Sequence, residues 1–125
     1  MPHRSVMVID DDAVCRSILC EMLTEEGYDC RGAEDGRAAI NGLKAWPADL
    51  IVVDMLMPEF DGVETIMAVR RGWPEARIIA LSGGCRAMST EYLLGLAENL
   101  GADATLTKPI HLETLAKAAD RVLAG

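Results

Sequence analysis

The chain has 125 residues, of which 50% are apolar and 26% charged, and its formal net charge is −8. This length and composition are typical of a single globular domain with a full core, spanning residues 1–125. The negative charge argues against direct binding of nucleic acid, because phosphate contacts need a basic surface. No apolar run is long enough to cross a membrane and no secretion signal is present, so we expect a cytoplasmic protein without membrane contact.

Short apolar runs and segments with helical spacing alternate along the whole chain. Gly27 ends the first helix, Asp35 is placed to cap the second, and Gly101 closes the fourth. The second strand is more polar than the others, which suits the edge of a sheet. The strands are predicted at Ser5–Ile9, 28–33, Leu50–Asp54, Arg77–Ser82 and 102–107. The helices between and after them are predicted at 13–26, Gly36–Ala45, from the 58–62 loop to about 71, 89–100 and 111–123.

Strict alternation of strands and helices predicts right-handed crossovers and a three-layer α/β sandwich. The third strand, Leu50–Asp54, is a continuous apolar run that ends in an acid. Such a run is typical of a strand buried on both faces at the centre of a parallel sheet. Ligands bind such sheets at the carboxyl ends of the strands, so Asp54 is expected at a ligand crevice.

The helices are expected to turn an apolar face toward the sheet. Val14, Ile18, Met22, Leu19 and Leu23 mark the period of the first helix. The residues predicted to face inward in the later helices are Ala39, Ile40, Leu43, Val63, Ile66, Met67, Leu93, Leu96, Ala97, Leu100, Leu112, Leu115, Ala119 and Val122.

Four cysteines occur, at positions 15, 20, 30 and 85, without Cys-x-x-Cys spacing. This spacing disfavours a metal site made of cysteines. In a chain without an export signal we expect reduced thiols, which pack as small core residues.

Polar residues follow four of the predicted strands. The first strand ends in Asp10-Asp11-Asp12, the third in Asp54, the fourth in Ser82, and Lys108 follows the fifth. Clustered carboxylates repel one another unless a cation is present, and Mg²⁺ is suited because it needs few carboxylates and keeps several waters. Carboxylates, a dication, a lysine and a hydroxyl are what phosphoryl transfer to a carboxylate nucleophile requires.

These residues belong to four motifs that occur in order along the chain. They are Val8-Ile9-Asp10-Asp11-Asp12 with Arg16, Val52-Val53-Asp54-Met55-Leu56-Met57-Pro58 with Asp61-Gly62, Leu81-Ser82-Gly83, and Thr107-Lys108-Pro109. With them, the chain resembles a two-component response-regulator receiver domain of the stand-alone, chemotaxis-regulator type. The resemblance covers essentially all of the chain.

The resemblance implies that Asp54 accepts a phosphoryl group from a histidine kinase or a histidine phosphotransfer protein. Ser82 would hydrogen-bond a phosphoryl oxygen, and Lys108 would pair with the phosphoryl group. The Lys108–Pro109 bond would be cis. The output would be altered binding of a downstream protein through the face between Ser82 and Lys108.

The resemblance also implies a Mg²⁺ cofactor and a flavodoxin-like sheet with strand order 2-1-3-4-5. Asp11 would coordinate the ion directly and Asp10 mainly through water. Asp54 and the backbone carbonyl of Leu56 would complete the protein ligands. The protein would be a phosphoacceptor rather than an enzyme.

The chain departs from the family pattern at the expected switch. An aromatic residue usually lies three residues before the lysine, where this chain has Thr105, and the segment from Ser82 to Lys108 is about one helical turn longer than usual, roughly four residues. We therefore predict that residues 83–88 shift or change order on phosphorylation. Leu56 and Gly84 offer no acid or amide to orient attacking water, which predicts slow self-dephosphorylation.

Several alternatives remain at this point. The aspartates after the first strand could form a solvated turn that caps a helix. A haloacid-dehalogenase-like phosphatase also uses a strand-end aspartate, but it needs a second acid where this chain has Leu56. A flavodoxin-like cofactor binder would need a phosphate loop where three aspartates occur. A degenerate receiver that never accepts phosphate is disfavoured by the intact acids and lysine.

Overall fold

The computed structural model describes residues 4–55, 57, 61–83 and 90–124, and for 61 and 90–94 the backbone alone. Within these residues the strands and helices alternate without exception. The strands are β1 Ser5–Ile9, β2 Asp29–Ala33, β3 Leu50–Asp54, β4 Arg77–Ser82 and β5 Ala104–Thr107. The helices are α1 Ala13–Glu25, α2 Gly36–Ala45, α3 Asp61–Gly72, α4 Thr90–Asn99 and α5 Leu112–Ala124.

The five strands form one parallel sheet in the order β2-β1-β3-β4-β5. The predicted three-layer α/β fold and its strand order are therefore confirmed. Every residue of β3 is buried, whereas β2 lies at the edge and buries only Ala33 fully. The polarity of β2 and the apolar run of β3 follow from these positions, since β3, unlike β2, is covered on both faces.

Alternate residues of the strands build two separate cores, one on each face of the sheet. Met7 and Ile9 of β1 belong to the core that α2 and α3 cover with Leu43 and Ile66. The other face carries Val6 and Val8 of the same strand. That core is closed by α1 and α5 through Leu19, Leu23, Leu115, Ala119 and Val122. None of the helices in the described part of the chain is long and apolar enough to cross a bilayer.

Aspartates cap two of the helices and glycines follow two, and of these residues Asp35, Gly27 and Gly101 were predicted individually. Asp12 caps α1 by accepting hydrogen bonds from the N–H groups of Val14 and Cys15 at 2.9 and 3.2 Å. Asp35 caps α2 in the same way through the N–H of Ala38 at 2.8 Å. Gly27 and Gly101 follow α1 and α4 with φ of 95° and 102°, a conformation that glycine adopts without a steric penalty.

Several element boundaries differ from the prediction by one or two residues. α1 ends at Glu25, and Tyr28 bonds back to the carbonyl of Leu23, so β2 begins one residue later than predicted. β5 begins at Ala104 rather than 102, because Ala102 likewise bonds back to the end of α4. In the described residues α4 spans Thr90–Asn99, against a predicted 89–100, and α5 spans Leu112–Ala124, against 111–123.

The prediction of inward-facing residues was wrong at Met67 and Leu112, which are 45% and 36% exposed. Val14 and Ile18, which mark the helical period of α1, are also exposed, at 68% and 47%. In α3 the large apolar side chains that are buried are Ile66 and Val69, and Met67 lies about a third of a turn away from their face. The cysteines at 15, 20 and 30 are free thiols, but they are only partly buried and lie at the edge of the core. The side chain of Leu93 lies outside the described residues.

Arg70, near the end of α3, joins several elements at the amino edge of the sheet. Its guanidinium donates to the carbonyl of Gly101 at 2.6 and 3.2 Å and to that of Ala76 at 2.5 Å. It also pairs with Asp103 at 2.9 Å, and the same carboxylate oxygen accepts the N–H of Ile78 at 2.8 Å. One arginine therefore ties α3 to the end of α4 and to the starts of β4 and β5.

Tyr28 makes a second long-range link, since its hydroxyl donates to Oδ1 of Asp120 on α5 at 2.7 Å. Burial, then the hydrogen bond to Asp120 and its charge, raise the pKa of Tyr28 to about 12 from its ordinary value of 10.0. The folded protein thus favours the neutral phenol. The stabilisation is complete below pH 10 and is lost as the pH rises through 12.

We predict that Tyr28→Phe lowers the free energy of unfolding by about 1 kcal/mol at neutral pH, the value of one such hydrogen bond. The measurement is urea unfolding at pH 7, with ultraviolet titration of the tyrosines in both proteins. The difference titration should contain one phenol that ionises near pH 12. A phenol that titrates at its ordinary pKa would contradict the contact.

Candidate functional site

Residues at the carboxyl ends of β1, β3 and β5 meet at one point. The Lys108 ammonium donates to Oδ2 of Asp10 at 3.0 Å and to Oδ2 of Asp54 at 3.2 Å. The two carboxylates come from adjacent strands, and the lysine reaches them across the end of β4. The structure therefore brings together three of the residues that the sequence singled out, with one cation between two acids.

Asp10 is the most tightly held of these residues. It is fully buried, and its Oδ1 accepts the N–H of Asp12 at 2.9 Å. Its own N–H donates to the carbonyl of Ala33 at 3.1 Å, and its carbonyl accepts Nη1 of Arg16 at 2.7 Å. A buried carboxylate is tolerated only when it is paired and hydrogen-bonded, and Lys108 together with the Asp12 amide supplies both.

The three consecutive aspartates have different surroundings. Asp12 caps α1, so the alternative of a helix-capping turn applies to this residue. Asp10 is buried, whereas Asp11 is exposed at the rim. Carboxylate oxygens of Asp10, Asp11 and Asp54 lie within 4.8 Å of one another. Three carboxylate oxygens at this spacing are a donor set that fits a hard divalent cation such as Mg²⁺.

Ser82 closes the site from β4. It is fully buried, and within the described residues its Oγ has no hydrogen-bond partner. Its backbone carbonyl accepts the N–H of Lys108 at 2.7 Å, which fixes the serine beside the lysine. A buried hydroxyl without a partner is uncommon and costs free energy, so its position calls for an explanation by a ligand.

The protonation of Lys108 depends on its partners. Burial by itself would lower its pKa, but the hydrogen bond to Asp10 and the charges of Asp54 and Asp10 outweigh that effect and raise the pKa above its ordinary value. The lysine therefore stays charged at neutral pH. The Lys108–Pro109 peptide bond is cis, as expected.

Gly62 at the start of α3 lies directly against the end of β3. A Cβ at this position would lie 2.6 Å from the carbonyl oxygen of Asp54 and 2.7 Å from Cα of Met55. These atoms are backbone and cannot move aside. The motif glycine is thus needed because the helix begins in contact with the chain that carries Asp54.

Two neighbours of Asp10 had no predicted role. In the sequence Arg16 is only part of a motif, whereas in the structure it donates a hydrogen bond to the Asp10 carbonyl. Cys15 lies close enough that burial, then its hydrogen bond to Asp10, raise the pKa of the thiol to about 11. Both residues lie in the first turn of α1, just after the Asp12 cap. Their closeness to Asp10 in the sequence is the signal that could have identified them as its neighbours. Leu56 and residues 84–88, which carried predictions, lie outside the described residues.

Comparison with known proteins agrees with this geometry. A family model described as "Response regulator receiver domain" matches residues 6–120. The chain belongs to this receiver-domain family. Receiver domains of response regulators act in signalling and interact with kinases and downstream targets.

Three relatives illustrate the range of the family. The chemotaxis protein CheY of Thermotoga maritima is 30% identical and aligns over 95% of this chain and 97% of its own. The chemotaxis protein CheY4 of Vibrio cholerae has a similar structure, with a TM-score of 0.85, 30% identity and coverage of 97% and 99%. The response regulator MprA of Mycolicibacterium vanbaalenii is 36% identical over 92% of this chain. The chain spans about half the length of MprA and of a cyanobacterial transcriptional regulator that it matches.

We predict that Lys108→Met lowers the free energy of unfolding by about 3 kcal/mol, because it leaves buried Asp10 beside Asp54 without a cation. Adding Asp10→Asn should recover part of this loss. Urea unfolding of the two single variants and the double variant measures the coupling between the two residues.

The matched control is Lys117→Met. Lys117 pairs with Glu113 at 3.0 Å, but both side chains are highly exposed, so the change should stay within about 0.5 kcal/mol. Equal losses in the two lysine variants, or additive losses at Lys108 and Asp10, would contradict the proposed coupling.

Proposed function

We propose that residues 1–125 form one receiver domain of a two-component phosphorelay, with Asp54 as the phosphoacceptor. The observation that carries the proposal is the contact of Lys108 with both Asp54 and Asp10, beside a group of three carboxylates. The contact holds Asp54 at the carboxyl end of the central strand, where a ligand can approach.

The proposed reaction is attack of an Asp54 carboxylate oxygen on the phosphorus of a donor. The new bond is an acyl phosphate, and the bond between phosphorus and the donor's leaving atom breaks. When phosphate arrives, Asp54 no longer carries its own charge, so the Lys108 ammonium is available to pair with a phosphoryl oxygen. Because the ammonium already lies 3.2 Å from Asp54, it needs little movement.

The proposed cofactor is Mg²⁺, held by Asp10, Asp11 and Asp54, with Asp11 as a direct ligand and Asp10 acting mainly through water. When bound, the ion would offset charge on the phosphoryl oxygens. Asp10 and Lys108 keep the position of this site fixed, since Asp10 is held by four hydrogen bonds. The Leu56 carbonyl remains part of the proposal as a further ligand.

Ser82 is proposed to sense the phosphoryl group. Its unpaired, buried Oγ can gain a hydrogen bond to a phosphoryl oxygen and lose none within the described residues. The preference for the phosphorylated arrangement would come from this difference. Because Thr105 replaces the usual aromatic, we propose that the change passes to residues 83–88 and alters protein binding on the face between Ser82 and Lys108.

The proposed phosphodonor is a phosphohistidine on a histidine kinase or a phosphotransfer protein. Val14 and Ile18, one turn apart on α1, are 68% and 47% exposed and lie beyond the cap formed by Asp12. Exposed apolar side chains so near the site would favour contact with a protein donor. A phosphatase lacks support, because Leu56 supplies no second acid and the family is one of signalling domains.

We predict that incubation with Mg²⁺ and acetyl phosphate adds about 80 Da to the protein, the mass of one phosphoryl group. The adduct should be removed by hydroxylamine, as expected for an acyl phosphate. Intact mass spectrometry measures both results.

Asp54→Asn should abolish the adduct. Asp29→Asn, at the amino end of β2, is the matched control and should keep it. An adduct that survives in Asp54→Asn, or none in the parent protein, overturns the assignment of Asp54.

We also predict that Mg²⁺ raises the melting temperature in the absence of any phosphodonor. A ligand at one hundred times its Kd stabilises the native state by about 2.7 kcal/mol. The rise should saturate with concentration and should be much smaller in Asp11→Asn. Sodium chloride of the same ionic strength is the control, and an equal rise with this salt would refute a specific site.

A further inference from the structure

Cys20 of α1 and Cys30 of β2 form a close thiol pair away from the phosphoacceptor site. Their sulfur atoms are 3.0 Å apart, and the thiol of Cys30 donates to Sγ of Cys20. Both residues are partly exposed, so a small oxidant can reach them. The pair takes no part in the proposed phosphoryl transfer.

The pair lies within a well-packed contact between α1 and β2. One turn before Cys20, the Arg16 side chain crosses Gly32, where a Cβ would lie 2.9 Å from Cδ of the arginine. Gly32 is two residues after Cys30 and so lies on the same side of the strand. The contact of Arg16 with Gly32 and the contact of Cys20 with Cys30 thus join α1 to β2 at two neighbouring positions, and both cysteines lie within regular secondary structure.

The surroundings make the two thiols chemically different. The hydrogen bond from Cys30 lowers the pKa of Cys20 against the effect of burial, and the charge of Arg16 lowers it further. The same hydrogen bond, together with burial, raises the pKa of Cys30. Cys20 is therefore the thiol that ionises more easily. Cys30 lies next to it as the resolving thiol, which would react with an oxidised Cys20.

We propose that Cys20 and Cys30 are a redox modification site, at which a peroxide converts the two thiols into a disulfide between α1 and β2. The Cys20 thiolate attacks one peroxide oxygen, the O–O bond breaks, and a sulfenic acid forms, while the second oxygen leaves as hydroxide and takes up the proton released from the Cys20 thiol to give water. The Cys30 sulfur then attacks the Cys20 sulfur, and the hydroxyl leaves as water with the Cys30 proton. Two thiols and one hydrogen peroxide thus give one disulfide and two waters.

The geometry requires only a small movement for this step. A disulfide bond is about 2.05 Å long, so the sulfurs must approach by about 1 Å. Two sulfurs alone do not form a zinc site, which normally has four ligands. A pair of contacting thiols on two adjacent elements is therefore better suited to reversible oxidation than to metal binding.

The test uses Cys15→Ser/Cys85→Ser, which retains only the proposed pair. After treatment with hydrogen peroxide, both thiols should resist N-ethylmaleimide, no disulfide should join two chains, and the mass of the chain should fall by about 2 Da. Dithiothreitol should restore both thiols. Two alkylated thiols, a gain of oxygen mass, or disulfide-linked dimers would overturn the proposal.

Peptide mapping of the parent protein tests the same bond without any substitution. Trypsin leaves both cysteines in one peptide between Arg16 and Arg31, so cleavage after glutamate at 21, 25 or 26 is needed to separate them. The two halves should stay joined until reduction. Cys30→Ser should instead stop at the sulfenic acid on Cys20.

The experiment contains no phosphodonor, and it should give the same result in Asp54→Asn. Loss of the disulfide with phosphorylation intact would refute the redox site alone. Loss of phosphorylation with the disulfide intact would refute the phosphoacceptor alone.

Discussion

The contact on which the site depends is one ammonium group shared by two buried acids. Lys108 reaches Asp10 and Asp54 only because β1, β3 and β5 end at the same edge of a parallel sheet in a single register. The lysine side chain passes beside Gly83 as it crosses the end of β4, where a Cβ would be in ordinary contact with its Cδ at 3.6 Å. The sheet topology therefore fixes the electrostatics, because a shift of one strand would leave a buried carboxylate without a cation.

Much of the fold could be predicted because the hydrophobic periodicity of the segments agrees with the turn and capping residues that bound them. The apolar runs of β1, β3 and β4 have the bounds that the sequence predicts, since each is flanked by polar or turn residues. The helix faces were less predictable. Met67 and Leu112 are apolar but lie at the side of their helices, and hydrophobicity alone cannot separate them from Val69 or Leu115. Only the packing of each helix on the sheet decides which neighbour is covered.

The candidate site, like the fold, could be predicted from the sequence only in part. Residue type and strand ends identified the acids, Ser82 and Lys108, because parallel strands bring their ends together. The sequence could not indicate that Asp12 serves as a cap while Asp10 is buried, or that the Ser82 hydroxyl has no partner in the described residues. These properties arise from side-chain packing between elements that are distant in sequence. The contact of Cys20 with Cys30 also arises from packing between two elements, since the residues lie ten positions apart in α1 and β2.

Arg70 fixes the C-terminal end of α4. At the far edge of the sheet the guanidinium holds Gly101, just after α4, through two hydrogen bonds, while Asp103 anchors the same arginine to β4. A rearrangement that starts beside Ser82 would therefore turn α4 about its fixed C-terminal end, and displacement would grow with distance from that pivot. Surfaces formed by the first turn of α4 would change most, and the base of the helix would keep its place on the sheet.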